Sequence, residues 1–265
     1  MKDQSSRSGH VHLIGAGPGA ADLLTIRAAQ LIAGAEVVVF DRLVSAEILE
    51  LVPATARRID VGKLPGYHKV PQDDINALLV RLAQSGAEVV RLKGGDPFIF
   101  GRGSEEAAAC RAAGIPVSVV PGITAAQGAA AATGVPLTHR GLATGLRYVT
   151  GHRARDLALD LDWQSLADPQ TTLVVYMGVA TIADIAARLI ARGLPADLPV
   201  LAVAGATTAA ERRVLSTLGG VGQDATCLPP EVPALFIIGR VVTLYPADLD
   251  LMIRAEAAPD RVAHA

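Results

Sequence analysis

The chain has 265 residues, a formal net charge of −2 and 51 % hydrophobic residues, enough apolar material for one large or two medium-sized domains. The slight acidic excess argues against a nucleic-acid-binding protein, so any anionic ligand must be held by local cations. The two cysteines, Cys110 and Cys227, lack Cys-x-x-Cys spacing, and therefore neither a disulfide framework nor a thiolate metal site is expected.

Short apolar runs alternate with helical segments, a pattern typical of an α/β fold around a largely parallel sheet. In the first half, strands are predicted at residues 11–14, 35–40, 57–61, 88–92 and 117–120. Helices are predicted there at residues 22–33, 72–86, 104–113 and 124–132. In the second half, strands are predicted at residues 146–150, 172–176, 200–204 and 235–241, with a helix at 181–192.

Residues 134–145, rich in glycine and threonine, indicate a boundary between two α/β domains. We expect the domains at residues 11–137 and 138–245, with a disordered tail at 1–10 and another tail at 246–265. The first ten residues are polar, unlike a secretory signal, and no run of about 18 apolar residues follows. These features predict a soluble cytoplasmic protein without a membrane span.

The most informative segment is residues 91–103, Arg-Leu-Lys-Gly-Gly-Asp-Pro-Phe-Ile-Phe-Gly-Arg-Gly, at the end of a predicted strand. Gly94 and Gly95 let the backbone approach a ligand closely. Asp96 supplies an acceptor for hydroxyl or ammonium groups, and two further glycines bracket Arg102. Gly-Asp-Pro is also common turn chemistry, but so many glycines around one arginine exceed what a turn needs. A ligand site is favoured.

Residues 15–20, Gly-Ala-Gly-Pro-Gly-Ala, formally match the dinucleotide fingerprint G-x-G-x-x-A between a strand and a helix. Asp41, at the end of the second predicted strand, lies where such folds carry the acid that binds ribose. An NAD-type oxidoreductase is therefore an open alternative. Pro18 weakens it, because proline has no amide hydrogen to offer a pyrophosphate.

Three further positions allow both a functional and an ordinary interpretation. Lys63 belongs to a cation-rich segment that is either a solvated loop or a site of polyanion binding or proton transfer. Thr124 opens a predicted helix, where its hydroxyl either faces a ligand or caps the helix. Met177 ends a strand of the second half, where a lone methionine usually packs in the core.

The loops at Gly15, Asp41, Gly94 and Gly122 all follow predicted strands. If the sheet is parallel, these loops converge on one edge, where α/β folds bind ligands. This convergence favours an enzyme, and the presence of Asp41, Lys63 and Arg102 together argues against a non-enzymatic binding module.

Together these motifs resemble the uroporphyrinogen-III C-methyltransferases of the tetrapyrrole methylase superfamily, over roughly residues 10–245. The resemblance implies two α/β domains of the tetrapyrrole methylase type with the active-site cleft between them, assembled as a homodimer. It also implies transfer of methyl groups from S-adenosylmethionine to C2 and C7 of uroporphyrinogen III, giving precorrin-1 and then precorrin-2, with no metal. The same fold acting on a later corrin precursor is an alternative. The segments that carry the resemblance are residues 15–19, 41–45, 61–63, 66–68, 91–103, 121–125, 136–140, 176–178 and 239–242.

The resemblance also implies the roles of individual residues. Cofactor contacts are implied at Pro18, Gly94, Gly95, Asp96, Ile99, Thr124, Ala125, Met177 and Ala206. Arg102, Asp41 and Lys63 are implied as catalytic, with Asp41 as proton acceptor and Lys63 as proton donor. Glu105 and Arg140 are implied to bind the tetrapyrrole, whose carboxylates suit arginine. The additional N-terminal domain of multifunctional sirohaem synthases has no counterpart here, so dehydrogenation and iron insertion are not expected.

Overall fold

The structure is a computed structural model that describes residues 9–62, 70–152 and 159–246. Lys63 lies outside these ranges, as do the expected tails apart from Gly9, His10 and Pro246. The chain divides into two compact units, one of Met1–Gly128 with Gly205–Ala209 and one of Ala129–Ala204 with Ala210–Ala265. The domain division expected at residues 137 and 138 stays a prediction.

The first unit contains a five-stranded parallel sheet in the order β3-β2-β4-β1-β5. All five strands predicted for this half are present. The strands are β1 His10–Gly15, β2 Val37–Phe40, β3 Arg57–Asp60, β4 Glu88–Lys93 and β5 Val117–Val120. The helices are α1 Ile26–Ala33, α2 Ala46–Glu50, α3 Gln72–Gln84, α4 Gly103–Ala112 and α5 Ala125–Thr133, which continues into the second unit.

The helix predicted at residues 22–33 is shorter than expected. A 3-10 turn covers Ala21–Leu23, and α1 begins only at Ile26. Thr25 has extended backbone angles, and its side chain accepts a hydrogen bond from the amide of Ala28. Because this hydroxyl caps the helix, it fixes the start of α1 at the next residue.

Helices cover both faces of the parallel sheet. On one face, Leu13 of β1 belongs to the same apolar cluster as Leu79 of α3 and Ala107 of α4. On the other face, Ile14 of β1 clusters with Ile32 of α1. With both faces covered, the loops at the carboxyl ends of the strands are the part of this sheet open to a ligand.

The second unit has a mixed sheet in the order β6-β7-β10-β8-β9, in which only β6 and β7 pair in parallel. The expectation of a largely parallel sheet is therefore wrong for this half. β8 and the unpredicted β9, a largely polar edge strand, follow each other without a helix between them and pair antiparallel. β10 then pairs antiparallel with both β7 and β8. The strands are β6 Gly145–Thr150, β7 Thr171–Tyr176, β8 Pro199–Ala204, β9 Arg212–Thr217 and β10 Ala234–Ile238. The helices are α6 Trp163–Leu166, α7 Ile182–Ala191 and α8 Val221–Asp224.

The strand predicted at residues 235–241 ends early, at Ile238. Gly239 has a φ of 145° and leads into a 3-10 turn over Arg240–Leu244. Within the described ranges, no helix combines the length and apolarity needed to cross a bilayer.

Candidate active site

Two glycine-rich loops meet at the carboxyl edge of the parallel sheet. Gly17 and Gly95 exchange backbone hydrogen bonds of 3.1 and 2.7 Å, and the amide of Ala16 donates to the carbonyl of Lys93 at 2.8 Å. Gly17 and Gly95 have φ values of +73° and +67°, a region that glycine enters without steric cost. The predicted convergence of the loops after β1 and β4 is therefore confirmed.

Asp96 joins the loop after β4 to the loop after β5. One carboxylate oxygen accepts from the amide of Phe98 at 2.8 Å, and the other accepts from the amide of Gly122 at 3.1 Å. An ionised carboxylate has about four acceptor positions, so this role leaves capacity for a ligand.

Thr124 forms a capping box at the start of α5. Its hydroxyl accepts from the amide of Gln127 at 3.3 Å, while the Gln127 side chain accepts from the amide of Thr124 at 3.2 Å. Thr124 is buried and lies beside the loop after β4, because a Cβ on Gly95 would sit 3.7 Å from the amide nitrogen of Ala125. Thr124 therefore caps α5, and its contact with a cofactor stays a prediction. Gly95, Thr124 and Ala125, all expected at the cofactor, lie close together.

The loop that contains Pro18 is held by the segment Gly205–Ala209. The amide of Ala20 donates to the hydroxyl of Thr207 at 3.2 Å. A Cβ on Gly19 would lie 3.3 Å from the carbonyl oxygen of Ala206, so this buried alanine is next to the loop. The Pro18 ring packs on Gly128 of α5, where any Cβ would overlap it. Pro18 and Ala206, both expected at the cofactor, therefore lie in neighbouring segments.

Arg102 and Glu105 form a bidentate ion pair at the start of α4. The two contacts are 2.8 and 2.7 Å long, and the side chains are 54 % and 50 % exposed. The hydrogen bond to Arg102 lowers the pKa of Glu105, and the same bond raises the pKa of Arg102. Phe98, Ile99 and Phe100, just before this pair, are exposed apolar side chains.

The backbone of this loop adopts an unusual conformation. Phe100 and Arg102 have φ values of 52° and 58°, in the left-handed region that glycine favours. Each such residue costs on the order of 1–3 kcal/mol, and strain of this kind clusters at functional sites. The loop therefore has the character of a binding loop, with an exposed arginine fixed at its end.

Asp41 lies at the carboxyl end of β2 and is anchored from behind by a buried arginine. One oxygen accepts from the amide of Leu43 at 3.1 Å, and the other accepts from Nη2 of Arg91 at 3.2 Å. Arg91 is 2 % exposed and also pairs with Glu106 of α4. The sequence does contain a signal for this cluster, because Arg91 and Lys93 interrupt an apolar strand, but their importance was not predicted.

Two expected site residues belong to the second unit. Met177 follows β7 with a φ of 53° and is 51 % exposed, so the alternative of core packing is wrong, and its cofactor contact stays a prediction. Arg140 is exposed in the turn between His139 and Ala143. No group of His, Cys, Asp and Glu side chains in the described ranges could hold a metal ion.

The strand order argues against the NAD-type alternative. In the dinucleotide-binding fold, the first two strands are neighbours. Here β4 lies between β1 and β2, and α1 begins well after the glycine-rich loop, at Ile26. The match to the dinucleotide fingerprint is therefore one of sequence spacing and not of topology.

Comparison with known proteins agrees with this geometry. The family model for Tetrapyrrole (Corrin/Porphyrin) Methylases matches residues 10–222. The uroporphyrinogen-III C-methyltransferase of Paracoccus denitrificans is 61 % identical over 236 residues, which cover 89 % of this chain and 82 % of that protein. A siroheme synthase of Chromobacterium violaceum is 51 % identical over 91 % of this chain, which spans only 51 % of that longer relative. The crystal structure of uroporphyrin-III C-methyl transferase from Thermus thermophilus, complexed with S-adenyl homocysteine, is 41 % identical with a TM-score of 0.75, covering 88 % of this chain and 93 % of that one. The chain thus belongs to the tetrapyrrole methylases.

Proposed function

We propose that the protein transfers methyl groups from S-adenosylmethionine to C2 and C7 of uroporphyrinogen III, giving precorrin-2 by way of precorrin-1. Family membership, the name of the Paracoccus relative and the ligand named for the Thermus structure support this function. The observation that carries it is the joined pair of loops after β1 and β4, a glycine-lined edge that leads directly to Arg102 and Glu105.

The residues at this edge fit an adenosylated cofactor. Gly17 and Gly95 present backbone without side chains, and a Cβ on either would have no neighbour closer than 3.5 Å. The free acceptor positions of Asp96 suit hydroxyl or ammonium groups. When bound, S-adenosylmethionine supplies a methyl group already activated by its sulfonium. The proposed contacts are Pro18, Gly94, Gly95, Asp96, Ile99, Thr124, Ala125, Met177 and Ala206.

The protein's main task in such a reaction is alignment, because the methyl group needs no further activation. Arg102 is proposed to bind a substrate carboxylate, for which its exposed, bidentate guanidinium is suited. Glu105 holds that guanidinium in place, and Arg140 is proposed as a second carboxylate ligand. The assignments of Met177 and Arg140 rest on the resemblance alone.

Proton transfer must accompany methylation, because the attacked ring has to lose a proton or tautomerise. Asp41 is the proposed acceptor, with its carboxylate at the open edge of the sheet and one oxygen anchored by Arg91. Lys63 is proposed as the donor on the resemblance.

A methylation assay with a matched variant tests this function. The full chain is incubated with S-adenosylmethionine and uroporphyrinogen III, and the mass of the product is measured by mass spectrometry. We expect two added methyl groups. Arg102→Ala is expected to bind S-adenosylhomocysteine normally but to lose about 100-fold or more in rate. No methylation by a folded, cofactor-binding sample would refute the proposal, and methylation of only a later corrin precursor would favour the alternative acceptor.

We further propose that the protein is a homodimer that acts in the cytoplasm. The dimer follows from the resemblance, and light scattering should give twice the chain mass of 27.3 kDa. Cys110 and Cys227 are free thiols, and Cys227 is exposed, as suits a reducing compartment. A monomer in solution would refute the dimer, and recovery of the tagged protein outside the cytoplasm would refute the location.

A further inference from the structure

A cluster of ionic side chains is buried between β4 and α4. Arg91 and Lys93 lie two residues apart on the same face of β4, and their side chains are 2 % and 5 % exposed. Both donate to one oxygen of Glu106, which has no exposure, from Nη2 of Arg91 at 3.2 Å and from Nζ of Lys93 at 2.8 Å. Nε2 of the Gln72 side chain on α3 donates to the same oxygen at 3.2 Å.

Burial of this kind requires charge balance. Taking ions out of water is unfavourable unless opposite charges and hydrogen bonds compensate. Glu106 alone balances only one of the two cations. Asp41, paired with Arg91 at 3.2 Å, is the second anion, so the formal charges of the four side chains cancel.

Asp41 differs from the other three members because it is 25 % exposed and ends its strand at the open edge of the sheet. Nη2 of Arg91 lies 3.2 Å from Asp41 and 3.2 Å from Glu106, so it links the exposed carboxylate to the buried one. The amide of Leu43 holds the other oxygen of Asp41. These contacts fix the carboxylate and leave its remaining acceptor positions at the edge.

We propose that Arg91 is a positioning residue for methyl transfer: held by Glu106, it orients the Asp41 carboxylate for proton transfer. Lys93 pairs with Glu106 beside Arg91 and so completes the formal charge balance of the cluster. This inference rests on the proposed role of Asp41 as proton acceptor. Misplacing a catalytic group by about 1 Å can cost on the order of 100-fold in rate, so a fixed orientation has a measurable value.

Arg91→Lys tests the inference because lysine keeps the charge but cannot link two carboxylates with one planar fork. We expect kcat to fall about tenfold or more, with the Kd for S-adenosylhomocysteine within about threefold of the parent. Arg58→Lys is the matched control, because Arg58 lies on β3 of the same sheet and donates to the carbonyl of Val52. It should change neither quantity.

A double-mutant cycle shows whether Arg91 positions Asp41 or only stabilises the fold. If Arg91 acts through Asp41, Arg91→Lys should change kcat less than about twofold in an Asp41→Asn background. An equal fractional loss in both backgrounds would overturn the inference, as would a folded Arg91→Lys protein with the parent's kcat. If Arg91→Lys does not fold, Arg91→Gln combined with Glu106→Gln preserves the charge balance and should show the same dependence on Asp41.

The same measurements show whether the role of Arg91 fails or the proposed methyl transfer itself fails. An Asp41→Asn protein with the parent's kcat removes Asp41 as proton acceptor, and with it the role of Arg91, but leaves methyl transfer intact. A parent protein that methylates nothing overturns the proposed function itself. The inference is supported only if Asp41→Asn lowers kcat and Arg91→Lys lowers kcat in the parent but not in the Asp41→Asn protein.

Discussion

The ammonium of Lys93 lies 2.8 Å from Oε1 of Glu106, whose other oxygen has no hydrogen-bond partner among the described residues. Burial, and then the nearby charge of Arg91, lower the pKa of Lys93, while Glu106 opposes the shift. Lys93 is the last residue of β4, directly before the glycine pair of the candidate site. The buried ion pairs of β4 with Glu106 therefore lie directly next to the glycine-lined edge of the sheet.

Removing the central carboxylate should destabilise the protein strongly. Glu106→Gln leaves Arg91 and Lys93 buried beside a neutral amide. We expect the free energy of unfolding, measured with urea, to fall by about 3–5 kcal/mol. The neighbouring Glu105→Gln is the control, because it breaks an exposed pair and should cost about 1 kcal/mol or less. Equal losses in the two variants would contradict the account.

A methyl group added to α5 should disturb the first loop. In Gly128→Ala the new Cβ overlaps the Pro18 ring, which must move. We expect the Kd for S-adenosylhomocysteine, measured by calorimetry, to rise about tenfold, since the loop is displaced. Gly34→Ala is the control, because its Cβ would make only an ordinary contact of 3.6 Å with the carbonyl of Gln30. Parent-like binding by Gly128→Ala would remove Pro18 from the cofactor contacts.

Met177 should matter for binding and not for stability. Its side chain is half exposed, so Met177→Ala should change the free energy of unfolding by no more than about 0.5 kcal/mol. We expect the Kd for S-adenosylhomocysteine to rise about tenfold, as for a lost ligand contact. The buried neighbour Val175→Ala should behave in the opposite way, with lower stability and little change in affinity. Unchanged affinity in Met177→Ala would rule out the proposed contact.

His10 should make stability depend on pH. Burial, and then the charge of the stacked His12, lower its pKa below the ordinary value of 6.5, against a weaker opposing effect of Glu88. The unfolded chain therefore takes up this proton at a higher pH than the folded protein does. The contribution of His10 to the free energy of unfolding is fully present above pH 6.5. It is lost as the pH falls through the lower pKa that His10 has in the folded protein.

Urea unfolding at about pH 7.5 and about pH 5.5 measures this dependence. His10→Gln should lose less stability between the two conditions than the parent does. His12→Gln should also lose less stability than the parent, because it removes the charge of His12 that lowers the pKa of His10. Identical losses in the parent and in His10→Gln would show that His10 does not contribute.

The sequence predicted those parts of the site that depend on local chemistry. Glycine pairs and strand ends indicated where the loops after β1 and β4 would meet, because parallel strands present their carboxyl ends at one edge. Thr124 could not be assigned, since a helix cap and a ligand contact need the same residue type at the same place. Its hydrogen bonds to Gln127 show the cap, and the cofactor contact at Thr124 stays a prediction.

Other features depend on contacts between distant parts of the chain. The pairing of Arg91 with Asp41 joins two strands, and its pairing with Glu106 joins a strand to a helix, so no local pattern predicts either contact. The polar edge strand β9 lacks the apolar alternation by which strands are recognised. The exposure of Met177 and its left-handed backbone at the end of β7 are likewise not revealed by its residue type.

A 13C NMR spectrum of the product tests the proposed methyl transfer most directly. The full chain is incubated with uroporphyrinogen III and S-adenosylmethionine labelled in its methyl carbon. We expect two labelled methyl resonances, at C2 and C7, with the first appearing alone at early times. Label at any other ring position, or no label in the tetrapyrrole despite cofactor binding, would contradict the proposed transfer.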